Sequence, residues 1–141
     1  MKEKYTYPAH TVDLIVPYEG GIVLIQRKKD PFKDMWALPG GFQEKLERIT
    51  QTCVRELLEE TGLIAEEENL KSLGVYDEPG RDPRGNVIAN VFEVLAYSGT
   101  LRAGDDATRA GIFKELPERL AFDHRKILED YFRMKNVDGF K

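Results

Sequence analysis

Apolar residues fall in short β-like runs along most of this chain, and two stretches carry a helical period instead. His10 to Tyr18 (HTVDLIVPY) is β-branched and apolar, which predicts a strand. Glu19-Gly20-Gly21 predicts a turn, and Gly21 to Arg27 (GIVLIQR) a second strand forming a hairpin with the first. Lys28 to Met35 is a charged loop holding Pro31. Trp36 to Phe42 (WALPGGF) is short and extended, since Pro39-Gly40-Gly41 breaks any helix. A helix follows from Glu47 to Thr61. Ile49, Cys53, Val54 and Leu57 give it an apolar stripe, and Gly62 stands where a left-handed residue ends a helix.

Leu70 to Tyr76 predicts a strand, and Val87 to Tyr97 (VIANVFEVLAY) gives the strongest strand signal in the chain. Between them lies a long polar loop, Asp77 to Asn86 (DEPGRDPRGN). Ser98 to Thr108 is loop, and Gly111 to Leu116 predicts a short strand. The second helix begins near Asp123, a good N-cap, with Phe122 and Ile127 spaced as a hydrophobic staple. Ile127, Leu128, Tyr131 and Phe132 form its core stripe. Strands, helix, strands, helix is the order of an α/β protein, a mixed β-sheet with helices on its faces in an α/β/α sandwich.

At 141 residues, 41% apolar and 33% charged, residues 1–141 fit one globular domain. A formal net charge of −4 gives no general attraction to nucleic acid or an anionic membrane. The single cysteine, Cys53, excludes an intrachain disulfide and fits a reducing compartment. The N-terminus (MKEKYTYPAH) lacks the apolar core of a signal peptide, and no apolar run approaches the ~18 residues of a membrane span. The expectation is a soluble, cytoplasmic protein.

The first helix carries the candidate chemistry. At about 100° per residue, Glu56, Glu59 and Glu60 fall within an arc of ~100°. Like charges so placed repel one another. A helix that needed only solubility would spread them and interleave Lys. A divalent cation compensates such a cluster, and hard oxygen ligands suit Mg²⁺ or Mn²⁺. By contrast Glu66, Glu67 and Glu68 are a solvated run, and Cys53 lies on the apolar stripe as a small core residue.

By spacing, the segment is Gly41, five residues, Glu47, seven residues, Arg55-Glu56-Leu57, one residue, Glu59-Glu60, one residue, Gly62-Leu63. This resembles the signature of the Nudix hydrolases at every fixed position. The resemblance implies the Nudix α/β/α fold and metal-dependent hydrolysis of a nucleoside diphosphate linked to another moiety. It also implies roles. Glu56, Glu59 and Glu60 hold Mg²⁺ (Mn²⁺ can substitute), with the carbonyl of Gly40 as a further ligand. Arg55 pairs with Glu47 and Glu56 and orients the carboxylates. Leu46 stands where the family usually has Gly, Arg48 where Ser or Thr commonly caps the helix, and Thr52-Cys53 where two alanines are common. These departures bear on the loop from Phe42 to Leu46 and on where the helix starts.

Substrate identity lies in the loops. PGRDPRGN (Pro79 to Asn86), Gly104-Asp105-Asp106-Ala107 and Phe122-Asp123-His124 resemble regions of ADP-ribose pyrophosphatases in this superfamily. The implied products are AMP and ribose 5-phosphate. Arg27, Arg81 and Arg84 are candidate phosphate or ribose contacts through charge-assisted hydrogen bonds. Phe32, Trp36 and Tyr76 are candidates for stacking on adenine, with core packing the alternative for Trp36. Asp105 or Asp106 is a candidate extra ligand or general base; the general base lies between a box glutamate, Glu56 first, and such a loop acid. Asp123 is expected to cap its helix and His124 to fill the first turn. A sanitising nucleoside triphosphate pyrophosphohydrolase is the alternative activity. An ADP-ribose-sensing module is a third reading, though no box ligand is missing. A homodimer through an exposed edge strand near the N-terminus is compatible with the sequence.

Overall fold

A computed structural model describes residues 5–105 and 107–135. Ten strands and two helices follow in order: β1 (Ala9–Ile15), β2 (Pro17–Tyr18), β3 (Gly21–Arg27), β4 (Trp36–Ala37), β5 (Gly40–Phe42), α1 (Ile49–Thr61), β6 (Leu63–Ile64), β7 (Leu70–Tyr76), β8 (Val87–Val94), β9 (Ser98–Gly99), β10 (Ala107–Phe113) and α2 (His124–Lys135).

The main sheet has the order β5-β1-β8-β7. It is mixed: β1 runs parallel to β8, from Ala9↔Val87 to Ile15↔Glu93, and antiparallel to β5. A second sheet has the order β10-β3-β2, with β4 also on β3. Strand β1 is buried along nearly its whole length because both of its faces are covered. Val12, Leu14 and Val16 pack with Cys53 and Leu57 of α1 and with Phe92 and Val94 of β8. Ile15 belongs to the opposite side, with Ile22, Leu24 and Leu38 and with Ile127, Leu128 and Tyr131 of α2. The predicted α2 stripe is therefore the one that packs. Side chains alternate along a strand, so Thr11 and Asp13 share the face of Ile15. That places a buried carboxylate on the α2 side of the sheet.

Several boundaries differ from expectation, each for a local reason. The first two predicted strands do not form one hairpin. Only β2 and β3 do so, at Pro17↔Ile22 and Tyr18↔Gly21, and β1 departs into the main sheet. Pro17 has no N–H for a ladder and marks the change of sheet. Glu19 and Gly20 both take positive φ (47° and 83°), as a tight hairpin turn requires. Helix α1 starts at Ile49, two residues late, because Arg48 is extended (φ −73°, ψ 154°). The Arg48 N–H donates instead to Oε1 of Gln51 at 2.8 Å. Gly62 does close the helix, at φ 77°. Strand β8 stops at Val94, and β10 starts four residues earlier than predicted. The staple does not form: Phe122 packs edge-on against Phe32, whereas Ile127 is buried in the cluster beneath α2. Strand β1 is internal, so the only edge strand near the N-terminus among the described residues is the two-residue β2. No helix among those residues is long and apolar enough to cross a membrane.

Candidate active site

Helix α1 turns one stripe into the core and its carboxylates toward a cavity of about 470 Å³. Glu56, Glu59 and Glu60 all line it, together with Arg55, Gly40 and Gly41. The approach of β5 to the helix is close. A Cβ on Gly40 would overlap the Val12 carbonyl oxygen, and one on Gly41 would overlap the Glu56 carboxylate. A side chain at Gly40 would push β5 off β1, whereas one at Gly41 would displace the Glu56 carboxylate from its place in the cluster.

Arg55 is the hub of this wall. It donates through Nε to Glu47 Oε2 (2.6 Å) and through Nη1 to Glu56 Oε2 (2.9 Å) and Glu59 Oε1 (3.1 Å). Nη2 donates to the Phe42 carbonyl at 2.9 Å, tying α1 to β5. Glu47 is fixed in turn. Its Oε1 accepts the Glu44 N–H (2.9 Å) and the Thr52 hydroxyl (2.9 Å), which folds the loop before the helix. The Arg55 hydrogen bond holds the Glu47 carboxyl down at about 2. Burial pushes Glu56 the other way, up to about 8; Arg55 opposes this, and Glu60 and Glu59 reinforce it.

The facing wall is cationic and aromatic. Arg27 donates from Nε to the Pro31 carbonyl (2.6 Å), and its guanidinium lies over the Phe122 ring. Burial, then the nearby Arg84, lower its pKa. Arg84 is clamped by the buried Asp82 through Nε (3.0 Å) and Nη2 (2.8 Å). Arg81 pairs bidentately with Asp123 at 2.9 and 2.6 Å and lies 3.8 Å from Asp13. His124 accepts the Leu38 N–H on Nδ1 at 3.0 Å, so its proton sits on Nε2, 3.5 Å from Asp13.

A family model described as the NUDIX domain matches residues 8–131. The chain belongs to the Nudix family. It is 52% identical to the "ADP-ribose pyrophosphatase" of Methanocaldococcus jannaschii, over 94% of this chain and 78% of that protein. It is 32% identical to the "ADPR responsive transcriptional repressor NtrR" of Acinetobacter baylyi, over 96% of this chain but 57% of the repressor. Its fold matches a crystal structure of a bifunctional NMN adenylyltransferase/ADP ribose pyrophosphatase from Francisella tularensis complexed with AMP and a Mn ion. There the TM-score is 0.78 at 31% identity, covering 94% of this chain and 43% of that one.

On this Nudix scaffold the predicted site residues separate into three groups. Glu47, Arg55, Glu56, Glu59, Glu60, Gly40, Arg27 and Arg84 meet at the cavity or brace its wall. Arg81 reaches the cavity, but its guanidinium is committed to Asp123; Asp123 does stand immediately before α2, yet its carboxylate and the expected phosphate clamp form a part-buried ion pair. Tyr76 lies elsewhere. It packs beneath α2 and donates to Asp130 at 2.7 Å, so it is no stacking partner within this chain's cavity. Trp36 packs edge-on against Phe113, and Phe32 backs Phe122 without itself lining the cavity. Asp105 is exposed outside the cavity lining, and its carbonyl accepts from Lys28. Its loop is nonetheless docked on the end of α1 by the Gly104 N–H to the Glu60 carbonyl (3.1 Å). Asp106 lies outside the described residues. The sequence gives no site role to Asp13, Phe42, Asp82 or Phe122, although Asp82 and Phe122 lie in segments that resemble ADP-ribose pyrophosphatases and Asp13 stands out as a lone acid inside an apolar strand.

Among the described residues, no three His, Cys, Asp or Glu side chains already stand in a closed metal-binding arrangement. The donor chemistry still fits a hard divalent cation. The glutamates supply only oxygens. Glu56 is held protonated near neutrality mainly by burial, and a cation beside it would restore the charge.

Proposed function

We propose that this Nudix domain hydrolyses ADP-ribose to AMP and ribose 5-phosphate, with Mg²⁺ in service and Mn²⁺ able to substitute. One observation carries the reading: a cluster of three glutamates and the arginines Arg27 and Arg84 line the same cavity. That is the charge layout a diphosphate joined to two larger groups requires. The likeness to the Methanocaldococcus protein supports ADP-ribose as the substrate.

Glu56, Glu59 and Glu60 would hold the metal, with Gly40 beside them. Held there, a divalent cation would neutralise the diphosphate and acidify a water. Arg55 and Glu47 keep the carboxylates from splaying apart under their own repulsion. Arg27 and Arg84 draw the phosphates onto the acidic wall. Glu56 is the first choice to take the proton of the attacking water, with an acid from the 104–106 loop as the other. The single domain would act in the cytoplasm on a small-molecule nucleotide, without nucleic acid or membrane. A homodimer paired through a sheet edge would use β2, β5, β7 or β10, since β1 is internal.

The likeness to a transcriptional repressor favours a second reading, in which ADP-ribose is bound and not cut. One experiment separates these from the triphosphatase alternative. Purified protein with Mg²⁺ is given ADP-ribose, other nucleoside diphosphate sugars and nucleoside triphosphates, and monophosphate release is measured. ADP-ribose should show the highest kcat/KM, and Glu59→Gln with Glu60→Gln should lower it about 100-fold or more. Binding without turnover would favour the sensor, and higher kcat/KM on a triphosphate would remove ADP-ribose.

A further inference from the structure

Three polar side chains of the cavity take no part in the chemistry proposed at the glutamates. Thr11, Asp13 and His124 line it, with Leu38 beside them. The Asp13 side chain is 10% exposed, and a carboxylate so buried is costly unless both its charge and its hydrogen bonds are satisfied. Only the charge is. Arg81 Nη2 stands 3.8 Å from Oδ2, and the Nε2–H of His124 stands 3.5 Å from Oδ1. Both separations exceed a normal N–H···O bond. The Arg81 guanidinium is drawn off by Asp123, at 2.9 and 2.6 Å. The His124 ring is fixed by the Leu38 N–H on Nδ1. Among the described residues nothing donates a hydrogen bond to the Asp13 carboxylate, and the Thr11 hydroxyl has no hydrogen-bond partner.

The group that completes this spot is an uncharged donor. A cation is not called for, because Arg81 already balances Asp13 and His124 presents an N–H to it. A phosphate would meet the negative charge of the carboxylate. Neighbouring hydroxyls fit. The two oxygens of one carboxylate can accept from two adjacent O–H groups, as an acidic side chain accepts from the ribose hydroxyl in dinucleotide sites. We propose that Asp13, flanked by Thr11 and the Nε2–H of His124, forms a sugar subsite that reads the vicinal hydroxyls of a ribose in the substrate. The inference rests on the reading that the substrate is a nucleotide derivative. The position suits it. Asp13 pairs with Gly40 across β1 and β5, and a Cβ on Gly40 would stand 3.1 Å from Asp13 Oδ1. The next residue, Gly41, packs on the Glu56 carboxylate. The subsite is therefore one residue along β5 from the acidic wall, close enough for a sugar to sit there while its 5′-phosphate meets the glutamates.

Two ligand pairs test this, each differing by one hydroxyl: ribose 5-phosphate against 2-deoxyribose 5-phosphate, and AMP against 2′-deoxy-AMP. Calorimetric titration in Mg²⁺ gives the ribo-to-deoxy affinity ratio for wild type, Asp13→Asn and Thr11→Val. Wild type should favour the ribo ligand about 10- to 100-fold in at least one pair, the size of a hydrogen bond to a charged group. The pair that shows the preference tells which ribose of the substrate is held. Asp13→Asn should shrink that ratio at least threefold, since the neutral amide is the weaker acceptor. An Asp13 that served only the fold would weaken both members of a pair alike and leave their ratio untouched. Thr11→Val nearly keeps the shape of the side chain and should shrink the ratio about threefold, so it decides the matter if Asp13→Asn fails to fold. No preference in wild type for either pair, or an unchanged ratio in the folded variant, would overturn the subsite. If wild type cuts ADP-ribose but shows no such preference, only the subsite fails. If the preference is present and is lost in Asp13→Asn, yet ADP-ribose is not cut, the functional reading fails and the subsite stands.

Discussion

Replacing Glu56 by Gln should stabilise the metal-free protein while disabling it. The Glu56 side chain is 13% exposed, and burial, helped by Glu60 and Glu59, moves its carboxyl from 4.5 to about 8. Between those values the folded chain keeps a proton that the unfolded chain releases. Raising the pH therefore disfavours the fold at this group. The whole gap corresponds to roughly 5 kcal/mol at full ionisation. Gln loses part of that gain because Arg55 now donates to a neutral amide, a loss of about 1–2 kcal/mol. The net expectation near pH 8 is about 2–3 kcal/mol in favour of Glu56→Gln. The assay is urea unfolding of both proteins in EDTA from pH 5.5 to 8.5. Subtracting one protein from the other removes every group they share, and the difference should grow by about 0.7–1.4 kcal/mol per pH unit up to pH ~8. Adding Mg²⁺ should then stabilise wild type more than the variant, since only a ligand that binds the native state shifts the equilibrium. A difference that stays flat with pH, or a variant less stable than wild type at pH 8 in EDTA, would refute the argument that burial and repulsion strain this carboxylate.

Arg55→Lys keeps the charge but cannot span Glu47, Glu56, Glu59 and the Phe42 carbonyl together; apparent Mg²⁺ affinity or kcat/KM should fall about 10- to 100-fold, as metal titration of turnover would show. Arg81→Met strands Asp123 and Asp13 without their cation in a buried setting, so chemical denaturation should record a loss of about 3–5 kcal/mol. Leu46 is fully exposed at φ 68°, so Leu46→Gly should relieve strain and stabilise by up to about 1 kcal/mol, a gain read as a higher urea midpoint.

What could be read from the sequence follows from how local each piece is. The carboxylates of α1 were legible because one helical period sets their arc, and no distant contact can move Glu56 off the face of Glu60. Arg55 and Glu47 came with the spacing of the box, and their contacts span eight residues or fewer apart from the tie to Phe42. The facing wall has no such period. Arg27, Phe42, Arg84 and Phe122 meet only because β1 lies between β5 and β8 and α2 closes over the same face. The two arginines of the RDPRG loop make the point sharply. They are three residues apart and looked equivalent. Asp123, forty-two residues away, neutralises and buries one of them, with 4% of the Arg81 side chain exposed. Asp82, only two residues away, clamps the other and leaves a third of the Arg84 side chain exposed at the cavity. A buried charge needs a partner, so the fate of each arginine was decided by where a carboxylate lay in the folded chain. Loop chemistry is ambiguous in sequence for that reason: a phosphate-binding arginine and a structural one differ in their partners, not in their residue type.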